Sequence, residues 1–163
     1  MMSLSRVEVL NIVIDQENNI PVVILQDIET KDTLPILIAP LEASMIAIEL
    51  EGKKPIRPLT HDLLINIVKA TSYEVESIEI NDLKDNIYYA KIKLVSGNKT
   101  LEIDSRPSDA IAIALRTKAP IYVKKKVFIL SMGIQKATKH VDKETLKEVL
   151  EDIEIEDVGG KIM

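Results

Sequence analysis

The chain has 163 residues and no cysteine. That length suits one domain with a sizeable core, and the missing thiols exclude disulfides, thiolate metal sites and cysteine nucleophiles. Aromatic residues make up 3%, with no Trp and a single Phe, so the core is aliphatic and base-stacking platforms are scarce. The net charge of −5 is unevenly spread: residues 116–147 carry nine basic and two acidic side chains, and residues 148–163 carry one basic and six acidic.

No targeting or membrane-spanning segment is expected. Glu8 and Asp15 interrupt the apolar positions of residues 1–20. No apolar run approaches the ~20 residues that a spanning helix needs. The expectation is a cytoplasmic protein without a membrane partner.

In chain order, Arg6–Ile14 and Pro21–Ile28 read as strands around a polar turn at residues 15–19, and Leu34–Ile38 as a third. Pro40 suits a helix first turn, so Leu41–Glu51 reads as a helix ended by Gly52. It is apolar almost all round, with Glu42 and Glu49 as its one polar stripe. Such a helix is expected to be buried in the core or in a subunit interface. Residues 53–58 form a loop. Thr60 is the expected N-cap of a helix from His61 to about Ser72, with Leu63, Leu64, Ile67 and Val68 as its buried stripe.

Glu74–Ile80, Ile87–Val95 and Lys99–Ile103 read as an antiparallel meander; the middle one alternates cleanly between apolar and polar positions. A helix follows, opening at Ser108 and running to about Thr117, with the apolar body Ala110–Leu115. Pro120–Val123 is a short strand. Lys125–Met132 reads equally as strand or helix, with Gly133 as a C-terminal cap, and Asp142–Glu151 reads as a last helix. Pro40-Leu41-Glu42-Ala43 and Pro107-Ser108-Asp109-Ala110 echo one another at two helix starts.

The run Ile103-Asp104-Ser105-Arg106-Pro107-Ser108-Asp109-Ala110-Ile111-Ala112 resembles the bacterial and plant bifunctional nuclease domain family. Three further stretches resemble it in the same order: Pro21–Leu25, Arg57–Leu63 and Ala119–Val123. The resemblance covers roughly residues 5–135. It implies cleavage of both DNA and RNA.

Arg106 and Asp109 flank a helix N-terminus, where free N–H groups and the dipole favour phosphate. Arg106 can clamp phosphate and Asp109 can hold a divalent metal; alternatively the segment is a capping arrangement in which Arg106 pairs with a carboxylate. His61 is one of two histidines and is the candidate proton-transfer group, with Asp62 beside it. Arg57, Thr60 and Ser108 are candidate phosphate-binding residues. Glu42, Asp62 and Asp109 are the candidate ligands for Mg²⁺ or Mn²⁺, with surface ion pairing as the alternative. Lys124, Lys125, Lys126, Lys136, Lys139 and His140 can hold nucleic-acid backbone or face the acidic tail. Glycine-rich phosphate loops and zinc-type histidine clusters are missing, and no organic cofactor is expected.

The expected fold is α+β: a mixed, largely antiparallel sheet with three main helices packed on it, plus a short C-terminal helix. Residues 1–135 form the domain, and residues 136–163 extend it as a helix and acidic tail. The expected function is a metal-dependent nuclease; the alternative is an oligomeric binding or regulatory module for a phosphorylated ligand or protein partner. A homo-oligomer is expected, with a dimer favoured.

Overall fold

The computed structural model describes residues 3–139, with side-chain surroundings described through Ile134. Seven strands form one mixed sheet: β1 (Leu4–Asp15), β2 (Ile20–Asp27), β3 (Thr33–Leu37), β4 (Glu74–Lys84), β5 (Ile87–Ser96), β6 (Lys99–Ser105) and β7 (Ile121–Lys124). The order across the sheet is β3-β2-β1-β7-β4-β5-β6. Two antiparallel meanders, β1-β2-β3 and β4-β5-β6, are joined by β7 between them. β7 runs antiparallel to β1 and parallel to β4. Among the described residues the only parallel pairing is thus made by the strand that follows a helical crossover.

The helices are α1 (Pro40–Leu50), α2 (Thr60–Ala70), α3 (Pro107–Thr117) and α4 (Lys125–Lys139). The architecture is the expected α+β one. α3 is the centre of the helical layer: it packs on α1, α2, β4 and β5. Ala110, Ala112 and Ala114 are essentially inaccessible, and their small side chains let the helix lie close to Ile78, Ile80 and Ala90, which are buried too.

The chain divides into two compact units after Phe128. The first holds the sheet, α1, α2 and α3. The division falls inside α4, and of the second unit only the helical segment to Lys139 is described. Lys125–Met132 is therefore helical, and Gly133 lies inside the helix instead of capping it. The predicted helix Asp142–Glu151 and the acidic tail lie outside the described residues. No described helix is long and apolar enough to cross a membrane.

Two helices differ from expectation in what they bury. α2 buries His61 and Ile65, while Leu63, Leu64 and Ile67 are exposed, at 53%, 43% and 53%. Its inward face follows 61, 65 and 68, a stripe turned about 100° from the predicted one and sharing only Val68 with it. The cause is polar anchoring: His61 and Asp62 both bond to α3, and that fixes the rotation of the helix. In α1, Ala43 and Ile46 are buried, but Leu41 is 73% exposed and Leu50 43%. The helix is not covered all round. Its polar stripe, Glu42 and Glu49, turns toward the arginines of α3.

Gly52 ends α1 as expected. Its φ of +66° is left-handed, and the flanking bonds are those of a Schellman turn: Gly52 N–H to Glu49 C=O and Lys53 N–H to Ile48 C=O. β6 is an edge strand on which Leu101 and Ile103 remain partly exposed.

Candidate functional site

Three helices begin close to one another, and each carries a carboxylate at its third residue: Glu42 in α1, Asp62 in α2 and Asp109 in α3. The first two cap their own helices. Glu42 Oε2 accepts from the Ala39 N–H at 2.9 Å, and Asp62 Oδ2 accepts from the Leu59 N–H at 2.9 Å. Each is the acidic half of a capping box, so the N-cap of α2 is Leu59 and the predicted cap, Thr60, is its first helical residue.

Asp109 does something else. Its Oδ1 lies 3.0 Å from His61 Nε2, and its Oδ2 accepts from Arg106 Nε at 2.9 Å. Arg106 also bonds Glu42 through Nη1. The four side chains form a continuous hydrogen-bonded chain in the order His61, Asp109, Arg106, Glu42. α2 and α3, far apart in sequence, thus open onto one cluster.

Burial would raise the pKa of the Asp109 carboxyl, but the hydrogen bonds from His61 and Arg106 outweigh it and hold the group below the ordinary carboxylate range. Asp109 is therefore ionised near neutrality and can only accept. His61 Nε2 must then be the donor. His61 is 7% exposed, and its Nδ1 is buried with no hydrogen-bond partner. Arg106 is the open part of the cluster, with its side chain 65% exposed.

A second cluster lies at the other end of α3. The Arg116 side chain is 3% exposed. Its Nε donates to Asp62 Oδ1 at 3.1 Å and lies 3.7 Å from Glu49 Oε1, and its Nη1 donates to the Ala112 C=O at 3.0 Å. Asp62 therefore belongs with Arg116, while its neighbour His61 belongs with Asp109. Sequence reasoning singled out neither Arg116 nor a site role for Glu49. The available signal was two lone carboxylates on an otherwise apolar helix and two arginines bracketing the apolar body of another.

The remaining predicted residues are dispersed. Ser108 is buried at 5% exposure in the first turn of α3; Thr60 and Arg57 are exposed. Arg57 lines a cavity against Arg116 and Asp62. In the basic band, Lys124 pairs with Glu79 and Lys126 with Asp82, both on β4. Lys136, Lys139 and His140 lie beyond the described side chains.

The carboxylates do not fit a divalent cation in this arrangement. Mg²⁺ or Mn²⁺ needs several uncommitted oxygens turned to one point. All six oxygens of Glu42, Asp62 and Asp109 already have partners: two backbone N–H groups, Arg106 twice, His61 and Arg116. Among the described residues, no three His, Asp or Glu side chains gather as a metal set.

A mixed-sheet α+β domain with an ionic cluster where helix N-termini meet is the class that fold and geometry define. The bifunctional nuclease domain profile matches residues 23–135, and the chain belongs to that family. It is 37% identical over 124 residues to an uncharacterized protein of Mycobacterium tuberculosis, covering 76% of this chain and 74% of that one. It is 30% identical over 97 residues to Bifunctional nuclease 1 of Oryza sativa subsp. japonica, covering 58% of this chain and 29% of the plant protein. It is 28% identical over 95 residues to Bifunctional nuclease 1 of Arabidopsis thaliana, again 29% of that protein. The plant proteins are thus several times longer than the segment they share with this chain.

Proposed function

We propose that the chain is a nuclease that cleaves phosphodiester bonds in DNA and RNA at the cluster of His61, Asp109 and Arg106. Family membership supports the reaction class. The observation that carries the site is the 3.0 Å contact between His61 Nε2 and Asp109 Oδ1. A carboxylate that binds one imidazole nitrogen fixes the tautomer and leaves the lone pair on the other to take a proton from water. Here that lone pair is on Nδ1. Arg106, exposed at the helix start, is the phosphate ligand, and its fork geometry suits a bidentate contact. A substrate phosphate would draw Arg106 from Glu42 and Asp109.

Because Nδ1 is buried, water must be admitted beside it while the Nε2 contact with Asp109 is kept. Glu42 holds Arg106 in the substrate-free state, and Asp62 positions α2 through Arg116. No step is assigned to a metal ion, since the carboxylates are committed to other partners. The working unit is proposed to be a homo-oligomer, with a dimer favoured, on the strength of the exposed Leu63, Leu64 and Ile67.

The test is cleavage of single- and double-stranded DNA and RNA, with and without EDTA. Wild-type activity should fall at least about a hundredfold in His61→Ala and in Asp109→Ala, the usual contribution of a positioned acid–base group. Undiminished cleavage in both variants would place the chemistry elsewhere.

A second reading is favoured by the same ionic saturation. Every carboxylate near the helix starts already has hydrogen-bond partners, which leaves Arg106 as the group that a phosphate can engage without any turnover. Binding of phosphorylated ligands without turnover, lost in Arg106→Ala, would select it.

A further inference from the structure

The loop between α1 and α2 and the last turn of α3 flank an open surface cavity of about 490 Å³. Its residues are not those of the His61–Asp109 cluster. Arg116 forms part of the wall, and Lys54 and Arg57 reach it from the loop. Glu49 and Asp62 also line it, both on the Nε side of Arg116.

Arg116 has one nitrogen too many for its surroundings. Nε has two carboxylate neighbours and Nη1 has a carbonyl, but Nη2 is buried without a partner. A guanidinium N–H removed from water and given no acceptor is costly, and folded proteins seldom leave one. Lys54 and Arg57 are exposed, and no hydrogen bond or ion pair engages either one among the described residues. Lys53, by contrast, is paired with Glu51 at 2.6 Å. Three cationic residues without a full set of acceptors, Lys54, Arg57 and Arg116, therefore line one cavity.

We propose that this cavity is an anion site for a phosphomonoester. Three cations suit a doubly charged phosphate better than a carboxylate, and a buried arginine held rigid by its own carboxylates is a pre-organised phosphate ligand. Glu49 and Asp62 repel an anion at the Nε end, which confines it to the loop side. Pro55 and the fully exposed Ile56 give the organic part of the ligand an apolar edge. The volume is in the range of ordinary small-molecule pockets. The site stands independently of the nuclease reading, because Arg106 takes no part in it.

The phosphate could belong to a free nucleotide or to the end of a nucleic-acid strand. The experiment titrates inorganic phosphate at constant ionic strength into the Arg106→Ala protein, which removes the phosphate ligand of the other cluster. Phosphate should bind, and adding Lys54→Ala and Arg57→Ala should weaken binding tenfold or more without changing the melting temperature. These rim positions are exposed, so the variant keeps its fold; Arg116→Lys adds an internal check. A 5′-phosphorylated oligonucleotide that competes with phosphate while its 5′-hydroxyl form does not identifies a strand end. Competition by a nucleoside monophosphate alone identifies a free nucleotide. Absence of phosphate binding to the Arg106→Ala protein, or binding unaffected by the rim substitutions, overturns the site. Loss of cleavage in Arg106→Ala bears only on the nuclease reading.

Discussion

Asp109 accepts from His61 Nε2 at 3.0 Å, although it stands at the helix position from which Glu42 and Asp62 cap their own helices. One carboxylate of three has been diverted from local capping to a long-range contact. That diversion ties α2 to α3, and it charges the centre of the proposed site.

Removing the Asp109 carboxylate leaves His61 Nε2 buried without an acceptor. Asp109→Ala should therefore destabilise the fold by about 1–3 kcal/mol, the usual cost of orphaning a buried polar group. Chemical denaturation measures it. A change within 0.5 kcal/mol would mean that the contact contributes nothing to the folded state.

The acid limb of stability has a definite sign. Burial raises the folded-state pKa of Asp109 and of Asp27, but His61 and Arg106 lower the first and Ser5 with the Thr30 and Glu29 N–H groups the second, so that both stand below the ordinary value. Depressed carboxylates stabilise the fold above the unfolded value of about 4. Stability should fall as pH drops below about 4 and through the lowered folded-state values. Melting temperature followed from neutral pH to about pH 2 should show this, with a shallower fall in Asp109→Asn. Identical profiles would remove Asp109 from the acid transition.

Arg116 is a charge with a buried side chain, 3% exposed. Arg116→Met should cost about 3 kcal/mol, the low end for breaking a buried pair, because Glu49 and Asp62 keep partial contact with water. Denaturation of the variant should show the loss, and Asp62→Asn should cost less. A stable Arg116→Met protein would mean that the arginine is retained for a ligand alone.

Leu63 and Ile67 distinguish an interface from a core. Leu63→Glu with Ile67→Lys should leave stability within about 0.5 kcal/mol if the face is open in the monomer, where burial in the core would cost several kcal/mol. Light scattering should show the wild type as a dimer and the variant as a monomer at micromolar concentration. A variant that stays dimeric would move the interface to another surface, such as the β6 edge.

The strands were legible because their alternation is strong: Ala90, Ile92 and Leu94 are buried as the pattern of β5 requires. The ends of α1 were legible from Pro40 and Gly52. The inward face of α2 was not, because an apolar count favours Leu63, Leu64 and Ile67, and only tertiary ion pairing turns His61 inward. His61 and Asp109 were separate candidates in the sequence, 48 positions apart, and the packing of α2 on α3 brings them to 3.0 Å. Asp62 was grouped with them by adjacency alone. Neighbouring residues on a helix point about 100° apart, which sends Asp62 to Arg116 instead.

The tautomer of His61 tests the account most directly. Long-range ¹H–¹⁵N spectra near neutral pH should show the neutral imidazole of His61 protonated at Nε2, with that signal strongly shifted in Asp109→Asn. A neutral ring protonated at Nδ1, or a His61 signal indifferent to the Asp109 substitution, would contradict it.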